Sequence, residues 1–203
     1  MFIGNLIFFI GSPGNASNQL NTPFGIALHP TSDLLYIADC YNNRLMSYAP
    51  GATNGTKLLG GLGFSNTQLN YPQGMHLDLY SNSLIIVNYE AHNVVKYPLG
   101  GTSWTLLAGS TSGSPGNTST TFHNPIDVTV DPMGNMSVAE RGNNRLQFLY
   151  IGQSVASTIA GITGVIGSNA TTFHFASSVC LDSQLNLYVA DSNNHRIQKF
   201  LRY

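Results

Sequence analysis

The chain has 203 residues, only 8% of which are charged, and its formal net charge is −1. This length suits one sizeable all-β domain or two small ones, and a charged fraction near a quarter is usual. The few basic residues form no stripe with interleaved aromatic residues, which disfavours nucleic-acid binding. We therefore expect a surface of Asn, Ser, Thr, Gly and Tyr side chains.

The first eleven residues, MFIGNLIFFIG, form an apolar segment. The segment is shorter than the roughly 18 residues that a membrane-spanning helix needs. It also lacks the positive start and the small-residue cleavage site of a signal peptide. We interpret residues 1–10 as a β-strand whose sheet lies elsewhere in the chain.

Two sequence features recur along the rest of the chain with the same period. Asp39, Asn88, Glu140 and Asp191 each end an apolar segment, in steps of 49, 52 and 51 residues. A second anchor lies at Pro23, Pro72, Pro125 and Ala176, in steps of 49, 53 and 51 residues. Two independent anchors with one period predict four repeats. Their approximate limits are 11–61, 62–109, 110–161 and 162–203.

Each repeat contains short apolar segments that are typical of β-strands. In the third repeat they are IDVTV, MSVAE and RLQFL, followed by the weaker STIAG. Turn sequences such as DPMGN separate them, because Pro presets φ and Gly or Asn tolerates positive φ. Four-stranded units at a period near fifty residues predict the blades of a β-propeller. We predict an all-β fold with one propeller domain over residues 1–203.

The last repeat ends after its third strand, so its fourth strand is missing. The segment LIFFIG within residues 1–10 aligns with the fourth strands of other repeats, and donating it would hide two sheet edges. The chain is then either a closed four-bladed ring or a slice of a larger, six-bladed one. Self-association is one way in which a ring could be completed.

An acidic residue and an arginine five positions later frame a turn in three of the repeats. The acid ends the second strand and the arginine begins the third, so we expect a cross-strand pair. The predicted pairs are Asp39 with Arg44, Glu140 with Arg145, and Asp191 with Arg196. In the second repeat both charges are replaced, by Asn88 and Asn93.

The segment ADSNNHRIQKF, with Asn194, His195, Arg196 and Ile197, resembles the NHL repeat. The resemblance implies a β-propeller, usually with six blades, that serves as a non-enzymatic scaffold for binding a protein or peptide. Two alternatives come from relatives of this family. One is a metal-dependent propeller enzyme resembling the peptidyl-hydroxyglycine amidating lyases, and the other is an RNA-binding NHL domain.

Loops between the second and third strands should lie together on one face of the propeller. They vary between repeats while the strands do not, which favours binding there. We call this surface the loop face. Its predicted residues are Tyr41, Asn42, Asn43, Glu90, Ala91, His92, Arg141, Gly142, Asn143, Asn144, Ser192, Asn193 and Asn194.

The histidines do not form a recognisable metal site. A catalytic zinc takes three converging protein ligands, and only His76 falls midway along a predicted innermost strand. His123 and His174 occupy linker positions that Asn21 and Asn70 fill in other repeats. We expect no metal, no cofactor and no catalytic residue that can be assigned.

Two further features bear on the cellular compartment. Cys40 and Cys180 are interpreted as small buried thiols, since two cysteines make no disulfide scaffold. Five Asn-x-Ser/Thr sequons favour a secreted or extracellular glycoprotein, whereas the missing signal peptide opposes it. Glycans on the linkers would also crowd the loop face. The sequons are at Asn15, Asn54, Asn117, Asn135 and Asn169.

Overall fold

The structure is a computed structural model that describes residues 12–202. The predicted strand in residues 1–10 lies outside the described residues. The strands are β1 (Pro23–Leu28), β2 (Leu35–Asp39), β3 (Arg44–Tyr48), β4 (Thr56–Gly60), β5 (Pro72–Asp78), β6 (Ser83–Asn88), β7 (Asn93–Pro98), β8 (Thr105–Gly109), β9 (Pro125–Val130), β10 (Met136–Glu140), β11 (Arg145–Leu149), β12 (Ser157–Gly161), β13 (Ala176–Leu181), β14 (Leu187–Asp191) and β15 (Arg196–Phe200). Short 3₁₀ turns occupy Cys40–Asn42 and Ser192–Asn194.

The strands form four antiparallel sheets in sequence order, which are the blades of a β-propeller. Blades 1, 2 and 3 are β1–β4, β5–β8 and β9–β12, each with four strands. Blade 4 is β13–β15 and has three strands within residues 12–202. The prediction of an all-β propeller with four repeats is confirmed.

The first strand of each blade lies at the centre. Residues of β1, β5, β9 and β13 line a common cavity of about 230 Å³, which marks the central channel. Glycine permits close approach of neighbouring innermost strands at two places there. A β-carbon on Gly25 would lie 2.2 Å from the Gln73 carbonyl oxygen, and one on Gly74 would lie 2.6 Å from Asp127 Cα.

Three hydrophobic clusters join consecutive blades. Leu45 of blade 1 packs with Met75 of blade 2, and Val94 of blade 2 belongs to a cluster with Val128 of blade 3. Leu146 of blade 3 belongs to the third cluster, with residues of blade 4. Among residues 12–202, no hydrophobic cluster joins blade 4 to blade 1. Apolar burial therefore stabilises three blade-to-blade joints.

Candidate functional site

The loop face is built from the hairpins between the second and third strands of each blade. The last residue of each hairpin loop has left-handed backbone geometry, with φ of 51°, 53°, 51° and 52° at Asn43, His92, Asn144 and His195. Asn and His are among the non-glycine residues that favour this region. The strand register places the acidic residue directly opposite the arginine, as in the pair Glu140↔Arg145. In blade 2 it places Asn88 opposite Asn93 in the same way.

Each charged hairpin contains an ion pair whose carboxylate is buried. Arg44 Nε lies 2.6 Å from Asp39 Oδ2, and the corresponding distances are 2.6 Å in blade 3 and 2.8 Å in blade 4. The acid is fully buried in all three blades, because each carboxylate shows no exposed side-chain surface. The carboxylates therefore connect neighbouring strands inside the fold and contribute no exposed surface.

The arginine also holds the linker that precedes its own blade. Arg145 donates from Nη1 to the carbonyl of Asn117 at 2.9 Å and from Nη2 to that of Thr118 at 2.8 Å. The carboxylate of Glu140 accepts the backbone N–H of His123 at 2.7 Å. Asn143 Nδ2 donates both to Glu140 and to the Gly116 carbonyl. Acid, Asn and Arg thus form one polar brace between a hairpin and a linker, and we call it the linker brace.

The linker brace of blade 2 is uncharged. Asn88 Nδ2 donates to Asn93 Oδ1 at 3.0 Å, and Asn93 Nδ2 donates to the Ser110 carbonyl at 2.8 Å. In place of an arginine, Trp104 Nε1 donates to the carbonyl of Gln68 at 2.7 Å. The only tryptophan of the chain therefore satisfies a linker carbonyl that arginine satisfies in the other blades.

A side-chain hydrogen bond crosses each of the three joints between blades on this face. Asn43 Oδ1 accepts the backbone N–H of Tyr71 at 2.8 Å, and Asn144 Oδ1 accepts that of Phe175 at 3.1 Å. At the middle joint His92 Nδ1 accepts the N–H of Asn124 at 3.0 Å. Burial lowers the pKa of His92, and the neighbouring His123 lowers it further. The lowered pKa favours the neutral imidazole, which His92 needs in order to accept a hydrogen bond at Nδ1.

The predicted loop-face residues divide into two groups. The first group is engaged inside the protein, in linker braces or in bonds between blades, and consists of Asn42, Asn43, His92, Asn143, Asn144 and Asn194. Ala91 is buried and Gly142 is half-buried. The second group points outward and supplies the exposed chemistry. It consists of Tyr41, Glu90, Ser192 and Asn193, with Arg141 half-buried.

Aromatic residues that sequence analysis did not assign to this face support the outward group. The rings of Tyr41 and Tyr71 meet edge to face with centroids 5.4 Å apart. The Arg141 guanidinium lies over the ring of Phe175, 4.6 Å from its centroid. Tyr71 and Phe175 directly precede the innermost strands β5 and β13. This position in the repeat is the sequence feature from which their place on the loop face could have been predicted.

Among the described residues that line the channel, one is acidic: Asp127, at the position that Gly25 and Gly74 fill in blades 1 and 2. Its Oδ2 accepts hydrogen bonds from the Ser178 hydroxyl at 2.6 Å and from the Val179 N–H at 2.9 Å. Burial raises the pKa of Asp127, and these hydrogen bonds oppose that rise. The carboxylate therefore connects blade 3 to blade 4.

His76 is half-buried on β5, and burial lowers its pKa. Within residues 12–202, no three His, Cys, Asp or Glu side chains are grouped so that they could hold a metal ion.

The sequons lie in two environments. Asn15, Asn54, Asn117 and Asn169 are exposed. Asn135 is buried, its Nδ2 donates to Asp131 Oδ2 at 2.9 Å, and its Oδ1 accepts the Ile151 N–H at 3.1 Å. A glycan on Nδ2 would need space that the folded turn does not offer, so Asn135 is the least accessible of the five sequon asparagines.

The cysteines also differ from the expectation of two buried thiols. Both are free, and Cys40 is buried, where burial and then the charge of Asp39 raise its pKa to about 11. Cys180 is exposed. It lies on the innermost strand of blade 4, on a face that no further blade covers within residues 12–202.

No helix among residues 12–202 has the length and apolar character to span a membrane.

Comparison with known proteins identifies the fold. The solved structures that resemble the chain include a Bacteroides thetaiotaomicron protein of unknown function, with 21% identity and a TM-score of 0.72 over 89% of this chain and 48% of that one. A streptogramin B lyase has 13% identity and a TM-score of 0.67, covering 96% of this chain and 54% of the other. A chain of a nidogen/laminin complex has 14% identity and a TM-score of 0.66, covering 88% and 60%. The chain thus spans about half the length of these proteins.

No curated protein sequence matches the chain. Residues 173–200, which contain the linker-brace hairpin of blade 4, match the NHL repeat. This match and the propeller architecture both support the resemblance to NHL-repeat β-propellers.

Proposed function

We propose that this protein is a non-enzymatic binding scaffold whose loop face recognises a protein or peptide. The observation that carries the proposal is the separation of the loop face into buried braces and an exposed layer. The braces fix the hairpins, and the exposed layer offers four kinds of chemistry. It presents an aromatic ring at Tyr41, an acid at Glu90, a base at Arg141 and an amide at Asn193.

Rigid support favours binding because little conformational entropy is then lost on association. The Tyr41 side chain is 55% exposed, yet its ring contacts Tyr71 of the next blade. Arg141 is oriented by the ring of Phe175. Tyr and Arg are also the residue types that contribute most at protein interfaces.

The mixed charge of the surface favours a peptide over a polyanion. Glu90 and Arg141 present one charge of each sign, and the formal net charge of the chain is −1. A polyanion would require several basic residues on one face. A peptide can satisfy an acid, a base, an amide and an aromatic ring at the same time. The fold also occurs in a chain of a nidogen/laminin complex, a protein–protein assembly.

The proposal is tested by selecting peptides from a random display library on the purified chain. Selected peptides are then measured against Tyr41→Ser and Arg141→Ser variants by calorimetry. We expect each variant to weaken binding about tenfold or more, as is usual for a central Tyr or Arg contact. The matched control is Tyr80→Ser, since Tyr80 is 96% exposed on the turn between β5 and β6 at the opposite end of the strands.

Peptides that bind the two loop-face variants and the wild type equally would refute the proposal. Loss of binding in Tyr80→Ser, with the loop-face variants unaffected, would move the binding surface to the opposite face.

A further inference from the structure

A cleft of about 840 Å³ lies between blades 2 and 3, at the end of the strands opposite the loop face. Ile85 and Lys96 line it from blade 2, and Val130 and Met136 line it from blade 3. The turns that follow β5, β9 and β11 form its rim. We call it the turn-face cleft. Its volume lies within the range of about 300–1,000 Å³ that is usual for small-molecule sites.

The equivalent space between blades 1 and 2 is filled by two tyrosine side chains. Tyr36 of blade 1 and Tyr97 of blade 2 belong to one hydrophobic cluster and are 4% and 1% exposed. The strand registers show that Ile85 takes the position of Tyr36 in blade 2 and that Leu149 takes the position of Tyr97 in blade 3. Both replacements lack an aromatic ring, so the second joint keeps space that the tyrosines fill in the first.

The walls of the turn-face cleft are predominantly apolar. Ile85 and Met136 belong to the hydrophobic cluster that joins blades 2 and 3. On the rim, Leu79 and Ile151 are 55% and 63% exposed. Apolar surface that faces water is unfavourable, and an apolar contact removes it from water. The cleft therefore favours a ligand with an apolar body.

One cation, Lys96, lines this apolar space at neutral pH. Lys96 is half-buried in the wall of the cleft, and no ion pair within residues 12–202 includes it. His76 also lines the cleft, but burial lowers its pKa, which favours the neutral ring. Among the described residues of the cleft, Lys96 is thus the group that can pair with an anion.

The two carboxylates that line the cleft are engaged in their own turns. Asp78 accepts hydrogen bonds from the Ser81 hydroxyl and from the Ser81 N–H, the latter at 3.3 Å. Burial raises the pKa of Asp78, but its hydrogen bonds and the longer-range charge of Lys96 outweigh burial and lower it. Asp131 accepts the Asn135 N–H at one oxygen and Asn135 Nδ2 at the other, both at 2.9 Å. Lys96 therefore remains the charged group that is available to a ligand.

We propose that the turn-face cleft binds a small amphipathic carboxylate, with its apolar body between blades 2 and 3 and its carboxylate on Lys96. The body of the ligand takes the kind of space that Tyr36 and Tyr97 fill in the preceding joint. A charge-assisted hydrogen bond from Lys96 fixes its orientation. The cleft and the loop face lie at opposite ends of the strands, so this site is separate from the peptide-binding surface proposed above and does not depend on it.

The test is a titration of the chain with three naphthalene derivatives, followed by NMR of its isoleucine and methionine methyl groups. Naphthaleneacetate, naphthaleneacetamide and naphthaleneethylamine share one rigid apolar ring system and carry a negative, a neutral and a positive group. We expect the acetate to shift the methyl signals of Ile85 and Met136 and to bind at least about tenfold more tightly than the amide. Met46 packs in a cluster of blade 1, so its signal should not move.

Two variants separate the charge from the shape of the cleft. Lys96→Gln should weaken binding of naphthaleneacetate about tenfold and leave the affinity for the amide unchanged. Its matched control is Lys57→Gln, which removes an exposed lysine of β4. Ile85→Tyr places in blade 2 the residue that fills the space in blade 1, and should abolish binding of all three compounds. Thermal unfolding verifies that each variant is folded.

Three outcomes would overturn the proposal. The first is that none of the compounds moves the methyl signals of Ile85 and Met136. The second is a preference for the amine, which would mean that Asp78 and Asp131 outweigh Lys96 in the cleft. The third is equal binding of the acetate and the amide, unchanged in Lys96→Gln, which would mean that the cleft takes apolar molecules without selecting an anion.

Discussion

Arg145 Nε lies 2.6 Å from Glu140 Oε2, and the two side chains are 3% and 0% exposed. The equivalent arginine in blade 4, Arg196, is 29% exposed. Removing one partner of a buried pair leaves an uncompensated charge, at a cost of about 3–5 kcal/mol, whereas exposed pairs contribute about 1 kcal/mol or less. The same interaction should therefore have different strengths in different blades.

We accordingly expect Arg145→Ala to lower the free energy of unfolding by about 3–5 kcal/mol and Arg196→Ala by about 1 kcal/mol. Urea unfolding measures both. A double-mutant cycle on Asp191 and Arg196 should be non-additive, by on the order of 1 kcal/mol or less. Equal losses at the two arginines, or strict additivity in the cycle, would contradict the account of the linker brace.

The blade without a charged brace offers a separate test at Trp104. Trp104→Phe keeps most of the apolar surface but removes the Nε1–H that donates to the Gln68 carbonyl. We expect a loss of about 1 kcal/mol in the free energy of unfolding, the usual contribution of one hydrogen bond. A Tyr97→Phe variant is the comparison, because it removes the Tyr97 hydroxyl that donates to the Gly101 carbonyl within the same blade. No change in Trp104→Phe would mean that packing alone explains this residue.

The hydrogen bonds between blades can be isolated by comparing Asn144 with His195. Both have left-handed φ, of 51° and 52°, so an alanine meets the same backbone strain at either position. Of these two residues, only Asn144 accepts a backbone N–H from the next blade within residues 12–202. We expect Asn144→Ala to cost about 1 kcal/mol more than His195→Ala in unfolding free energy of the monomer at low protein concentration. An equal cost would leave no role for the hydrogen bond.

Asp191 should make stability depend on pH. Burial pushes its pKa upward, but hydrogen bonds from Asn194, the His174 N–H and Arg196 outweigh burial and lower the pKa below its usual 3.8. A lowered folded-state pKa gives stability that is fully present above the unfolded-state value and is lost as the pH falls through the folded-state value. We expect the urea midpoint to fall in acid below about pH 4.

The variant Asp191→Asn should be less stable than the wild type at neutral pH and should approach it in acid. Urea unfolding at a series of pH values measures the difference between them. A difference that does not change with pH would show that Asp191 has the same pKa in both states.

The sequons give a prediction about modification, on the hypothesis that the protein is extracellular. On secretion from a eukaryotic host, Asn117→Gln should remove one glycan, because the Asn117 side chain is exposed. Asn135→Gln should leave the glycan mass unchanged, since Asn135 is buried and bonded to Asp131. Mass spectrometry before and after enzymatic deglycosylation measures both. A glycan on Asn135 would contradict the buried turn, and no mass change in the wild type would contradict the extracellular hypothesis.

The sequence by itself determined the repeat, the four blades and the register of the hairpins. These follow from local patterns, since the alternation of apolar segments and turn residues sets the strands. The five-residue spacing of Asp39 and Arg44 places the two residues opposite each other. Even the replacement of both charges in blade 2 was visible, at Asn88 and Asn93.

Only the tertiary structure decided what those residues contact beyond their hairpin. Arg44 reaches a carbonyl 29 residues away, and Trp104 reaches one 36 residues away. Such contacts depend on how linkers fold over neighbouring strands, which no local pattern specifies. The tertiary structure also decides that Asn135 is buried and that Ile197 is exposed. A side chain is buried only when another part of the structure packs against it.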